Sequence, residues 1–153
     1  MCPGDTGVYE EVYRKVKERN LIYAEEIAQY CEKVSHQLKA GLVILHGSTA
    51  KGLHGKWSDI DLVVIADFDT PFLDRIGKLL ELNERRAPIE PLGYTPKEFN
   101  AMLLKLNPLA LEAVKNGIPL IGENLFAQLK GTLNRIERNG LRRTKVTWSF
   151  LGF

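Results

Sequence analysis

Two short apolar runs, residues 42–45 and 60–66, are the sequence feature that most constrains the fold of this chain. Both are rich in branched aliphatic residues, which is typical of strands buried on both faces of a sheet. The segment between them is rich in glycine and hydroxyl residues, so we predict a loop there. The sequence therefore predicts two buried strands with a candidate site at the loop between them.

The second apolar run carries two carboxylates, Asp59 and Asp61, at its start. Side chains alternate between the two faces of a strand, so residues two positions apart project from the same face. Neighbouring carboxylates repel each other and resist burial. Mg²⁺ relieves this repulsion, and it commonly shares its ligands between one or two protein carboxylates and substrate phosphates. We therefore predict a magnesium site at this pair, which Mn²⁺ would also suit.

The turn directly after the first run offers phosphate-binding groups. Gly47 allows a phosphate to approach the backbone closely, and Ser48 adds a hydroxyl to the exposed backbone N–H groups. Lys51 and Lys56 lie in the same loop and are candidates for triphosphate contacts, although loop lysines are usually only solvated. Phosphate and metal would then meet between the two strands.

Two common phosphate-binding motifs are excluded in this loop. A Walker loop requires a glycine where Ala50 stands and a hydroxyl residue where Trp57 stands. The dinucleotide fingerprint fails because no second glycine follows Gly47 at the required position.

The stretch from His46 to Ile65 resembles the signature of the DNA polymerase beta nucleotidyltransferase superfamily, in particular its minimal nucleotidyltransferases. The resemblance rests on a Gly-Ser pair, a ten-residue gap and two aspartates flanked by apolar residues, and weaker matches extend to about Gly122. It implies an α/β (α+β) fold with a small mixed sheet and flanking helices. It also implies transfer of a nucleoside monophosphate from a nucleoside triphosphate, for which we expect ATP, to a hydroxyl acceptor.

The resemblance implies a third carboxylate on a later strand, and the matching position is Glu90. Prolines on both sides of it predict a short strand or an edge strand, because proline cannot donate to a sheet. With the two aspartates it would hold two magnesium ions, one activating the attacking hydroxyl and one binding the triphosphate. Three glutamates on a flanking helix remain alternatives for the third ligand, namely Glu81, Glu84 and Glu98.

A chain of 153 residues is predicted to form a single domain. We expect an N-terminal helical extension over residues 1–38, a nucleotidyltransferase core over residues 39–122, and a helix and strand over residues 123–153 packed in the same domain. The last segment is basic, so it is a candidate for RNA binding. We prefer a solvated helix face followed by a strand that packs Val146, Trp148 and Phe150 into the core.

The composition excludes several other classes of protein. No apolar run approaches the length of a membrane span and the N-terminus does not resemble a signal peptide, so we expect a cytoplasmic protein. The net charge of +2 is too small to indicate nucleic acid by itself. The two cysteines lack zinc-ligand spacing. His46 and His54 receive no catalytic role, because single loop histidines are usually surface residues.

The resemblance leaves two further functions open. Minimal nucleotidyltransferases often pair with a small helical HEPN-type protein, as antitoxins that bind it and in some cases adenylylate it. The other alternative is a catalytically silent module that binds nucleotide or RNA, against which the intact set of acidic residues argues. Larger members of the superfamily hold the acceptor in an accessory domain, and this chain has only short extensions. We therefore expect a partner to hold the acceptor.

Overall fold

A four-stranded mixed sheet organises the fold, with the two apolar runs at its centre. The computed structural model describes residues 3–19, 21–50, 59–143 and 148–150. In chain order the strands are β1 (Leu42–His46), β2 (Ile60–Ile65), β3 (Ile89–Tyr94) and β4 (Ile118–Ile121). Their order across the sheet is β3-β2-β1-β4, with β1 antiparallel to both neighbours and β2 parallel to β3. The predicted mixed sheet is confirmed, and the strand that carries Glu90 lies at its edge, as its prolines indicate.

The helices cover both faces of this sheet. They are α1 (Pro3–Glu18), α2 (Ala24–Leu38), α3 (Gly47–Ala50), α4 (Phe72–Glu81), α5 (Pro96–Leu104), α6 (Pro108–Asn116) and α7 (Glu123–Arg138). Helix α4 is the crossover that a parallel pair such as β2 and β3 requires. No helix within the described ranges has both the length and the apolar character that crossing a membrane requires.

The alternation of side chains along β1 and β2 divides the core into two layers. One layer joins the sheet to α1 and α2 through Val43, Leu45, Leu62 and Val64. The other joins it to α5, α6 and α7 through Leu42, Ile44, Val63 and Ile65. Burial on both faces explains why these two strands are apolar at every position except His46 and Asp61. By the same alternation His46 and Asp61 belong to the second face, which α5, α6 and α7 cover.

An ion pair between the buried Arg75 of α4 and the half-exposed Glu98 joins α4 to the first turn of α5. Arg75 is 6% exposed, and its Nε donates to the Thr70 carbonyl at 2.7 Å. Its guanidinium also donates to both carboxylate oxygens of Glu98, at 2.7 and 3.2 Å. Glu98 in turn completes the predicted capping box of α5 with Thr95. The Arg75 contact and the α5 cap hold the pKa of Glu98 at about 2, below its usual value of 4.5.

The C-terminal segment differs from its prediction. Instead of a single strand after the last helix, β5 (Leu141–Arg143) and β6 (Trp148–Phe150) pair with each other in a separate antiparallel sheet. Val146 and the side chains of Trp148 and Phe150 lie outside the described residues, so their packing into the core stays a prediction. The division into segments 1–38, 39–122 and 123–153 likewise stays a prediction.

Candidate active site

Three polar residues form one row across the sheet. His46 at the end of β1 is the register partner of Asp61 on β2. Asp61 is in turn the register partner of Glu90 on β3. Register partners project from the same face, and neighbouring strands lie about 4.8 Å apart. The sheet therefore brings an imidazole and two carboxylates side by side on the face that α6 partly covers.

The Glu90 carboxyl group is close enough to both aspartates to be perturbed by them. Desolvation by the surrounding residues raises the pKa of Glu90, and so do the negative charges of Asp59 and Asp61 and hydrogen bonding to both carboxylates. Asp59 is the residue immediately before β2, and Asp61 is the second residue of the strand. The two aspartates therefore lie at the start of β2. The three carboxylates occupy one region of the surface, where their negative charges repel one another.

The turn after β1 is built around the Asp61 side chain. Gly47 has a φ of +75°, in the left-handed region that glycine adopts most readily. A Cβ atom at Gly47 would overlap the Asp61 carboxylate and lie 3.2 Å from Asp61 Cγ. The chain then forms the single helical turn α3, where the sequence predicted an irregular loop. Glycine is needed here both for the backbone conformation and for the space that the carboxylate occupies.

Thr49 is a site residue that the sequence analysis missed. It is 1% exposed, and its Oγ1 donates a hydrogen bond to the backbone carbonyl of Asp59 at 2.9 Å. This hydrogen bond connects α3 to the residue before β2. It therefore joins the two ends of the segment between these elements. A hydroxyl residue directly after a Gly-Ser turn was the available signal, but the sequence does not show that it is buried.

His46 is buried although its side chain is polar. It is 8% exposed, and its Nε2 has no hydrogen-bond partner among the residues that the structure describes. Burial lowers its pKa below 6.5, and the nearby Asp61 carboxylate only partly opposes this effect. The imidazole is therefore largely uncharged at neutral pH. The sequence predicts a surface histidine at this position, and that prediction is wrong.

The sequence profile described as nucleotidyltransferase domain matches residues 26–105, which is more than half of the chain. The chain belongs to the nucleotidyltransferase domain family. The match begins within α2, so it includes part of the helical segment that the resemblance did not cover. Among solved structures, the chain is similar to the "Crystal structure of the toxin-antitoxin with AMP-PNP", at 17% identity and a TM-score of 0.46, over 71% of this chain and 88% of that one. Comparison with curated protein sequences gave no match.

The structure separates the candidates for the third carboxylate of this nucleotidyltransferase domain. Glu84 forms an ion pair with Lys33 on α2, and Glu98 is held by Arg75. Glu81 is exposed at the last position of α4. Glu90, in contrast, lies close enough to Asp59 and Asp61 for the charges of both aspartates to raise its pKa. The remaining predicted phosphate ligands, Lys51, Lys56 and the side chain of Ser48, lie outside the described residues.

The acidic residues of the nucleotidyltransferase domain have the donor chemistry that magnesium prefers. Carboxylate oxygens are hard ligands, and magnesium usually completes its coordination with water and substrate phosphates. Within the described part of the chain, no group of three His, Cys, Asp or Glu side chains is already arranged to hold a metal ion. The carboxylates of Glu90, Asp59 and Asp61 are nevertheless close enough to perturb one another, and this donor chemistry fits a metal whose coordination substrate oxygens complete.

Proposed function

We propose that this protein is a magnesium-dependent nucleotidyltransferase that transfers a nucleoside monophosphate from ATP, or another nucleoside triphosphate, to a hydroxyl acceptor. The observation that carries the proposal is the pairing of Asp61 with Glu90, with Asp59 close by and the Gly47 turn against Asp61. Carboxylates and a glycine turn at the same end of neighbouring strands are the groups needed to bind a metal and a triphosphate together. Membership of the family supports the same chemistry.

Asp59, Asp61 and Glu90 would hold two magnesium ions. When bound, the ions would lower the pKa of the attacking hydroxyl and stabilise the negative charge of the leaving group. The acceptor oxygen would form a bond to the α-phosphorus, and the bond from that phosphorus to the oxygen bridging to the β-phosphorus would break. Pyrophosphate would leave, and the hydroxyl proton would be released.

The chain's own contribution is to position the reactants. The turn at Gly47 and Ser48 would bind the β- and γ-phosphates through its backbone N–H groups. The Asp61 carboxylate lies directly against this turn, so metal-binding and phosphate-binding groups are adjacent. The bond from Thr49 holds the backbone of Asp59 in place. In-line positioning and charge stabilisation account for much of the rate of such reactions.

A calorimetric titration with ATP tests the metal-dependent site. In EDTA, the carboxylates repel the triphosphate and binding should be weak. With magnesium present, the cation bridges carboxylates and phosphates, and binding should tighten by at least about tenfold. Equal affinity in the two conditions would contradict the proposed site. Incorporation of labelled nucleotide then tests the transfer step.

The acceptor is the remaining part of the proposal. We propose that a partner supplies the hydroxyl. A partner protein that copurifies in a fixed stoichiometry and becomes labelled from α-labelled ATP would identify a protein acceptor and favour the antitoxin alternative. Stable binding of nucleotide without labelling of any copurifying protein, nucleic acid or small molecule would favour the silent module.

A further inference from the structure

The position of His46 in the row across the sheet gives it one carboxylate neighbour and one phosphate-binding neighbour. Asp61 lies opposite it on β2, and Glu90 lies on the far side of Asp61. Along the chain, His46 immediately precedes the Gly47 turn. The imidazole is thus on the triphosphate side of the proposed metal site, and Glu90 is on the other side.

The Nε2 atom of His46 is a buried polar atom without a partner in the described part of the chain. Buried polar atoms in native proteins are nearly always hydrogen-bonded, and an exception calls for an explanation such as a water, an ion or a ligand. The imidazole that carries this atom belongs to the register partner of Asp61, which the proposed function assigns to the metal. A ligand of that metal is therefore a candidate partner for Nε2.

We propose that His46 is a nucleotide-binding residue whose Nε2–H donates a hydrogen bond to a phosphate oxygen of the metal-bound triphosphate. The inference rests on the proposed function and adds a ligand contact to it. An imidazole N–H is a hydrogen-bond donor, and phosphate oxygens accept strong hydrogen bonds because they are charged. A phosphate is favoured over the acceptor hydroxyl because the next residue in the chain belongs to the phosphate-binding turn.

The experiment compares His46→Leu, which removes the donor, with His46→Gln, whose side-chain amide reaches approximately as far as Nε2. The probes are magnesium tripolyphosphate, which contains no base or sugar, and magnesium ATP. We expect His46→Leu to weaken the binding of both probes by about tenfold, and His46→Gln by less than about threefold. His46→Asn, whose amide is shorter, should behave like His46→Leu and provides the same contrast if the leucine variant does not fold.

A second measurement separates ligand binding from a structural role. Without ligand, His46→Leu should melt at the same temperature as the wild type or higher, because an apolar group replaces an unpaired polar one. A leucine variant that binds tripolyphosphate as tightly as the wild type would overturn the inference, since a water or another part of the chain would then satisfy Nε2. Failure of the wild type itself to bind magnesium ATP would overturn the proposed function, and this inference with it.

Discussion

Asp61 and Glu90 are direct register partners on the parallel strands β2 and β3, so the sheet itself holds two carboxylates side by side. Desolvation raises the pKa of Glu90, and the negative charges of Asp59 and Asp61 raise it further. Without a cation this arrangement is unfavourable, because each negative charge disfavours the others. We therefore expect repulsion between these carboxylates to destabilise the metal-free protein. The same carboxylates should support function when a metal is bound.

The substitution Asp61→Asn tests this opposition directly. It keeps the shape of the side chain and removes one of the crowded charges, so the metal-free protein should gain on the order of 0.5–2 kcal/mol in the free energy of unfolding. Transfer should be lost, because an amide cannot replace an anionic ligand that both metals would share. Melting curves in EDTA measure the first effect, and magnesium-dependent incorporation of labelled nucleotide measures the second. A variant clearly less stable than the wild type in EDTA would mean that Asp61 has a structural role.

Glu90 and Glu98 provide a matched pair of glutamates with opposite expectations. Glu90→Gln should weaken the binding of magnesium ATP by at least about tenfold while leaving stability in EDTA unchanged or higher. Glu98→Gln should lower stability, because Glu98 is held by the buried Arg75, and should leave magnesium ATP binding unchanged. Thermal melts and calorimetry on both variants test the prediction. If Glu98→Gln also reduced binding by tenfold, the loss at Glu90 could not be assigned to a metal ligand.

The pair of Arg75 and Glu98 also predicts how stability responds to acid. The pKa of Glu98 is about 2 in the folded protein, below its usual value of 4.5. A depressed carboxyl pKa stabilises the folded state above the unfolded-state pKa, and this contribution is lost as the pH falls from about 4.5 towards 2. Glu98 is 46% exposed, so solvent screening limits the contribution to about 1 kcal/mol at pH 6.

Urea unfolding of the wild type and Glu98→Gln at several pH values measures this effect. The wild type should be the more stable protein at pH 6, and the difference in the free energy of unfolding should shrink as the pH falls towards 2. If the difference in the free energy of unfolding did not depend on pH, loss of the α5 cap, and not loss of the ion pair with Arg75, would explain it.

Local sequence patterns were sufficient to predict much of the fold. Strands β1 and β2 follow from runs rich in branched apolar residues, and the start of α5 follows from the Thr95 and Glu98 capping box. The edge position of β3 follows from its prolines. These features depend on residues close together in the chain, so the sequence alone contains them.

The parts that were missed depend on contacts between distant segments. The burial of His46 results from its register with β2 and from the helices that cover that face, neither of which the residues around it reveal. The bond from Thr49 to Asp59 requires the folded turn. The pairing of β5 with β6 was missed because Arg142 and Arg143 give β5 no apolar alternation.

The bond from Thr49 to the backbone of Asp59 supports a prediction in which stability and metal affinity change together. Thr49→Val keeps the branched shape but removes the hydroxyl, which should cost about 1 kcal/mol in the free energy of unfolding. Residues that orient metal ligands typically change metal affinity by tenfold or more when mutated. The magnesium concentration that gives half-maximal ATP binding should therefore rise on the order of tenfold.

Two further variants control this experiment. Thr49→Ser keeps the hydroxyl and should restore most of the magnesium affinity, although it loses a buried methyl group. Thr132→Val removes a hydroxyl that bonds to the Gln128 carbonyl at 3.3 Å on the exposed side of α7, and it should leave magnesium dependence unchanged. If Thr49→Val were destabilised but needed no more magnesium than Thr132→Val, the bond would serve the fold alone. The position of the Asp59 carboxylate would then be set by β2 and not by α3.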